Sequence, residues 1–79
     1  MGWNYRVLAH KQFDEVYFYI HEVYYDEEGN PDGYVEIPVS PQSEEIKGMR
    51  WQLNKMNEAL SKPIIKIWDF PNVYELDSE

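Results

Sequence analysis

One stretch of the chain constrains the fold more than any other, because its apolar residues recur at the spacing of a helix. Within residues 44–61 the steps between them are three, four, three and four, and the residues are Ile46, Met49, Leu53, Met56 and Leu60. At about 100° per residue these side chains form one narrow stripe along a helix. Such a stripe is stable only when another element covers it, so the chain needs a second layer.

The ends of this helix are also predicted by the sequence. Ser43 is the natural N-cap, and the acidic residues that follow it suit the first turn. We expect the helix to run to about Ser61, because Pro63 disfavours helical geometry at the preceding residue. Gly48 lies within the helix, where the missing side chain would admit a close neighbour.

Trp51 falls nearly opposite the apolar stripe, among the polar residues Lys47, Lys55 and Glu58. A large indole that faces water is normally covered by something, so we expect an occupant on that side. The occupant could be the chain's own tail, a second copy or a foreign partner. In the first case Trp68 or Phe70 would cover Trp51.

Alternating apolar and polar residues before the helix predict β-strands. Residues 3–9 form the first, residues 10–15 connect, and residues 16–25 form the second. The alternation of the second strand slips at Glu22, which indicates either a bulge near His21–Glu22 or a strand covered on both faces. Residues 26–33 should turn, with Pro31 and Gly33 supplying the special backbone angles, and residues 34–39 form a third strand.

The predicted fold class is therefore α+β, with a three-stranded antiparallel sheet and one amphipathic helix packed on one face. The element order is β-β-β-α, followed by an apolar C-terminal tail, all in one small domain over residues 1–79. A short fourth strand at Ile65–Ile67 would extend the sheet to four strands. Residues 75–79 are expected to be disordered.

The second strand also presents a row of polar aromatic side chains. If Val16, Phe18 and Ile20 face the helix, then Tyr17, Tyr19 and His21 lie on the open face of the sheet, in a chain with seven tyrosines. Tyrosine combines contact area with a polar tip, which suits an interface. An ordinary exposed sheet face decorated with residues of high strand propensity is an equal alternative.

Charge and composition limit the classes of partner that this chain is expected to bind. The net charge is −8, with two bases against eight acids in residues 1–40. An acidic surface repels nucleic acid and anionic membranes, so neither is an expected partner. There is no cysteine, no apolar run of membrane-spanning length and no signal-peptide pattern at the start, which together favour the cytoplasm.

Residues for catalysis or tight metal binding are sparse. His21 and Glu22 are neighbours on a strand, so they point to opposite faces and cannot share an ion without a bulge. The acidic loop has Asp26, Glu28 and Asp32 at alternating positions, but it lacks the glycine and glutamate of a calcium loop. Weak, non-selective divalent binding is the most that these residues predict. No catalytic serine or phosphate-loop pattern occurs, and no cofactor is implied.

Several short runs together resemble a group of short uncharacterised bacterial proteins. The runs are WNYRV at residues 3–7, IHEVYYD at 20–26, PVSP at 38–41 and RWQL at 50–53. The resemblance covers about residues 3–63 and implies a small cytoplasmic bacterial protein. It carries no activity or site residue to this chain.

These observations predict a non-enzymatic protein–protein interaction domain that self-associates, for example as a homodimer. Its candidate interface is either the face of Trp51, Lys47 and Lys55 or the sheet face of Tyr17, Tyr19 and His21. One alternative is an acidic inhibitor, an immunity-type protein or a nucleic-acid mimic, which would bind a basic target by charge complementarity. Another is a weak metal-binding protein or a small enzyme.

Overall fold

The computed structural model describes residues 2–70 and contains one helix beside a four-stranded sheet. The predicted α+β class, with a short fourth strand, is confirmed. The elements are β1 (Gly2–Gln12), β2 (Glu15–Tyr25), β3 (Pro31–Tyr34), α1 (Ile46–Ala59) and β4 (Ile65–Lys66), followed by a 3₁₀ turn over Ile67–Asp69. The expectation of disorder over residues 75–79 lies outside the described residues.

The strand order across the sheet is β3-β2-β1-β4. β1 and β2 form an antiparallel hairpin along their full length, and β3 adds to the outer edge of β2. α1 then carries the chain to the opposite edge, where β4 pairs parallel with β1 through Leu8↔Ile65 and Ala9↔Lys66. The sheet is therefore mixed, since the fourth strand enters after a helical crossover and not after a hairpin.

The sheet is covered on both faces. On one face α1 contributes Ala59 to a buried cluster with Tyr5 and Val7. On the other face, the segment after β4 contributes Ile67 and Phe70 to a cluster with Leu8 and Val23. The apolar tail is thus a second covering layer. Among residues 2–70, no helix is long and apolar enough to cross a membrane.

Coverage of both faces explains why the alternation in β2 slips. The pairing of β1 with β2 runs without interruption past His21 and Glu22, so the bulge predicted there is wrong and the second alternative is right. Val23 breaks the pattern because it faces Phe70 and Ile67, not water. The sheet's register shift lies instead between Tyr24 and Tyr25, on the side that pairs with β3.

The turn before β3 lies earlier than the sequence predicts. The Asp26 carboxylate accepts hydrogen bonds from the backbone N–H groups of Glu28 and Asn30, both at 2.9 Å. Gly29 has a φ of +86° and takes the left-handed position. Pro31 and Gly33 therefore belong to β3 and not to the turn, and Pro31 is tolerated because β3 is an edge strand.

The third strand is also shorter than predicted. Regular pairing ends at Tyr34. Beyond it, the backbone N–H groups of Val35 and Val39 still donate to β2, at the carbonyls of Glu22 and Ile20. Pro38 has no N–H to donate, which removes a ladder bond within the predicted strand.

The helix begins two residues later than the sequence predicts. Glu45 is the N-cap, and the Ser43 hydroxyl accepts a hydrogen bond from the Glu45 N–H at 3.2 Å. Ser43 lies directly against Gly48, where a Cβ would overlap its side chain. The close neighbour expected at Gly48 is therefore Ser43, whose side chain folds back over the first turn.

The β1–β2 hairpin carries avoidable backbone strain. Its two-residue loop is Phe13-Asp14, with φ values of 50° and 70°, and such loops favour Asn-Gly. We expect the double replacement Phe13→Asn, Asp14→Gly to raise the free energy of unfolding by about 1–2 kcal/mol, because Asn and Gly adopt a positive φ at lower cost than Phe and Asp. Urea denaturation measures the change, with Gln12→Asn on the adjacent strand as control. An unchanged midpoint would contradict these backbone angles.

Candidate functional site

α1 does not rest on the sheet through its predicted apolar stripe. The helix residues that are buried or half-buried are Gly48, Met49, Gln52, Met56 and Ala59. The prediction is right for Met49 and Met56 and wrong for the other three members of the stripe. The exposed fractions of Ile46, Leu53 and Leu60 are 73%, 48% and 69%. We refer to these three side chains as the apolar ridge.

Small and polar residues explain this rotation of the helix. Ala59 is almost fully buried, because a methyl side chain lets the helix approach β1 closely beside Tyr5 and Val7. Gln52 then faces the sheet, where its side-chain amide donates a 3.4 Å hydrogen bond to the Tyr5 hydroxyl. The inward face therefore follows contact geometry and hydrogen bonding rather than the largest apolar side chains.

Trp51 lies on the flank of α1 and not on its outer face. Its indole is 52% exposed and forms one wall of a groove between the helix and β1. This tryptophan groove has a volume of about 360 Å³ and is lined by Trp3, Asn4, Tyr5, Trp51, Lys55, Glu58 and Lys62. The prediction that Trp51 points directly away from the sheet is therefore wrong, since β1 supplies the facing wall.

Charged groups on the helix side of the groove are arranged around the indole. The Lys55 ammonium lies 3.8 Å from a Glu58 carboxylate oxygen and 6.0 Å from the centre of the Trp51 ring. Across the groove, the rings of Trp3 and Tyr5 meet edge to face, with centroids 5.3 Å apart. Lys47, predicted to share this surface, is exposed but does not line the groove.

The described part of the tail does not cover Trp51, contrary to one of the alternatives. Phe70 lies in the core cluster on the opposite face of the sheet. Trp68 lies under the Lys11 ammonium, which is 4.3 Å from the ring centre. Both aromatic residues follow β4, the edge strand beside β1, and neither lines the groove that contains Trp51. Residues 71–74 lie outside the described range.

The predicted tyrosine face is divided by the structure. Tyr17 and Tyr19 are exposed, as expected, but His21 is completely buried, so its expected place on an open surface is wrong. The aromatic rings of Tyr19 and Tyr34 pack against it, with centroids 6.3 Å and 5.4 Å from that of His21. The hydrogen bond from the Tyr17 hydroxyl to Glu15 raises the pKa of Tyr17.

The two histidines form a pair that the sequence did not predict. The Nε2 atoms of His10 and His21 are 2.9 Å apart, and His21 Nδ1 lies 2.8 Å from the Val35 carbonyl oxygen. A carbonyl can only accept, so His21 carries its proton on Nδ1. Its Nε2 then accepts the proton of His10 Nε2. The hydrogen bonds at these three nitrogen atoms are made with both rings neutral.

Burial lowers the pKa values of both histidines. Loss of solvent lowers the pKa of His10 below its usual value, and the neighbouring His21 lowers it further. Burial also lowers the pKa of His21, although the hydrogen bond to Val35 opposes that change. The sequence contains a signal for this pair, because alternate residues of a strand lie on one face. Once the turn is placed at residues 13–14, His10 and His21 fall on the same face of the hairpin.

Two of the three acidic residues predicted as weak metal ligands, Asp26 and Glu28, make hydrogen bonds within the turn. One oxygen of Asp26 accepts two backbone N–H groups, and the Asn30 side chain reaches Glu28 at 3.5 Å. Asp32 lies on β3, beyond this turn. Within residues 2–70 no group of three or more histidine, cysteine, aspartate or glutamate side chains is placed to hold a metal ion.

Comparison with protein-family models, with curated proteins and with solved structures found no match for this chain. The resemblance to short bacterial proteins therefore stays an expectation.

Proposed function

We propose that this protein is a non-enzymatic interaction domain that self-associates through the apolar ridge of α1. The observation that carries the proposal is the exposure of Ile46, Leu53 and Leu60 on one side of a well-formed helix. Their spacing of seven residues places them in one line, about 21 Å long from first to last. A row of this kind on a soluble domain is typical of a surface that packs against another helix.

The ridge has the local shape of a helix-pairing surface. Beside it lies a depression of about 280 Å³, lined by Ile46, Met49, Arg50, Leu53 and Asn54. Four of these residues stand at positions i, i+3, i+4 and i+7, which is the arrangement that receives one side chain from a facing helix. The helix therefore offers an empty hole near its N-terminus.

The same helix also offers the matching side chain. Leu60, at the C-terminal end of the ridge, is exposed and about 16 Å along the axis from the centre of the depression. In an antiparallel pair, Leu60 of each copy would enter the depression of the other, and Leu53 would lie near the two-fold axis. A surface with both parts is self-complementary, and this favours a second copy over a foreign partner.

The test is a change of charge at the centre of the ridge. We expect Leu53→Glu to weaken dimerisation at least ~30-fold, or about 2 kcal/mol, because it buries a carboxylate in an apolar contact. Sedimentation equilibrium over a wide concentration range measures the dissociation constant. Leu53 is half-exposed, so the variant should keep its fold, which circular dichroism checks.

Lys47→Gln is the matched control, since it also makes the net charge more negative by one and lies off the ridge. It should leave dimerisation within about twofold of the original. A protein that stays monomeric at the highest concentrations would refute self-association. A dimer that tolerates Leu53→Glu would show that a different surface mediates it.

A further inference from the structure

We infer that the tryptophan groove is a binding site for a small planar aromatic carboxylate, taken up with its ring between Trp3 and Trp51 and its anionic group towards Lys62. This function is separate from self-association. Trp51 and Leu53 are two residues apart and about 200° around the helix, so the groove and the apolar ridge lie on opposite flanks of α1.

The walls of the groove select an aromatic ring. Trp3 and Trp51 come from different elements, and each indole is about half exposed, at 46% and 52%. Trp3 is held by its edge-to-face contact with the buried Tyr5, so its position does not depend on a ligand. Flat ligands gain most from such walls, because aromatic rings stack or meet edge to face at short range.

The charges in the groove select an anion. Lys55 already has an acidic neighbour in Glu58, whereas Lys62 lines the groove and makes no salt bridge within the described part of the chain. Lys62 is also half-buried, and a partly desolvated ammonium gains most from a carboxylate beside it. The protein has a net charge of −8, so the surplus of positive charge in the groove is opposite in sign to the charge of the whole chain.

The size of the surplus limits the charge of the ligand. Two ammonium groups against one carboxylate leave a single positive charge in the lining. A monoanion matches that surplus, but a phosphate dianion would meet the Glu58 carboxylate and the acidic surface of the whole protein. The volume of about 360 Å³ lies at the low end for ligand sites and suits one or two fused rings.

The experiment is a titration of the uniformly ¹⁵N-labelled full chain with 2-naphthoate, followed by NMR. The protein has three tryptophans, so it has three indole N–H signals. We expect saturable shifts at Trp3 and Trp51, and little change at Trp68, which lies against Lys11 outside the groove. The neutral 2-naphthamide, which has the same ring system, should bind at least ~10-fold more weakly.

Two lysine variants separate a charge effect from a loss of folding. Lys62→Gln should weaken 2-naphthoate at least ~10-fold and leave 2-naphthamide unchanged, since only the acid uses the ammonium. Lys11→Gln, which contacts Trp68, should change neither affinity. The dispersion of the backbone amide signals confirms that each variant is folded.

Each remaining outcome would overturn the inference. If no saturable shift occurs up to about 5 mM, the groove is not a site for this class. If the amide binds as tightly as the acid, Lys62 has no role in recognition. Equal shifts at all three indoles would indicate non-specific association.

Discussion

We expect Phe70→Ala to lower the free energy of unfolding by about 3–5 kcal/mol, the usual cost of removing a buried aromatic ring. Phe70 is only 3% exposed and packs with Leu8, Val23 and Ile67 on the sheet face away from the helix. Its ring also lies against Tyr34 of β3, with centroids 5.1 Å apart. One side chain after the last strand thus connects β1, β2 and β3.

A matched replacement is available in the same protein. Phe13→Ala deletes the same atoms from a ring that is 95% exposed at the hairpin loop, so it should change stability by less than about 0.5 kcal/mol. Urea denaturation of the two variants measures the difference at constant composition. Equal midpoints for Phe70→Ala and Phe13→Ala would show that the tail is not part of the core in solution.

The consequence is that residues 60–70, which follow α1, are part of the folded structure and not an appendage. Stability of a small domain amounts to only about 5–15 kcal/mol, so a loss of 3–5 kcal/mol leaves little. Arg6 adds a polar connection to the same region, since its guanidinium donates to the Pro63 carbonyl at 2.6 Å and to the Tyr25 hydroxyl at 2.8 Å. Any shortened form of the chain should therefore retain Phe70.

The strands were predictable because alternation reports local geometry. Trp3 to Ala9 and Val16 to Tyr25 follow a period of two, and both segments lie within strands of the structure. The positions of turns were less predictable, because several residues compete for them. The Asp26 side chain fixes the turn at residues 26–30 through its two hydrogen bonds, and Pro31 and Gly33 therefore lie in the edge strand.

The orientation of the helix could not be read from its apolar residues. The stripe through Ile46, Leu53 and Leu60 predicts the buried face on the assumption that one neighbour covers the helix. The sheet covers a different face, through Ala59 and Gln52, and this choice depends on the space above Tyr5 and Val7. The apolar side chains that the sheet leaves exposed on this helix form the proposed interface.

The candidate site also combines residues that the sequence predicted with residues that it did not. The sequence singled out Trp51 and Lys55, and both line the groove. Trp3 lines the groove from β1, 48 residues before Trp51, so its place there depends on how α1 packs on β1. Lys62 lines the groove from just beyond the end of α1. Pairing of His10 with His21 likewise depends on a hairpin loop of only two residues.

We also expect the protein to lose stability as the pH falls from about 7.5 to about 5, and the histidine pair to contribute to that loss. In the unfolded chain both histidines titrate near the usual value of 6.5. In the folded protein the pKa of each is lowered. Between the usual and the lowered values the unfolded chain therefore binds more protons than the folded one, and stability rises with pH.

Geometry gives the same direction independently. His21 keeps its proton on Nδ1 for the Val35 carbonyl, so protonating its Nε2 would place a second N–H against the donor of His10. The surroundings of the pair are aromatic, since the rings of Tyr19 and Tyr34 lie nearly perpendicular to the imidazoles that they contact. The contribution of the pair is thus complete above pH 6.5 and declines below it.

His10→Gln isolates this contribution. A glutamine amide can still donate to His21 Nε2, so the hydrogen bond is retained while one titrating group is removed. Urea denaturation at several pH values should give a smaller loss of stability on acidification for the variant than for the original. Below the lowered pKa values, the free energies of unfolding of the two proteins should change with pH at the same slope. Carboxylates respond equally in both proteins, so they cancel in the comparison. Identical pH profiles for the two proteins would contradict the buried neutral pair.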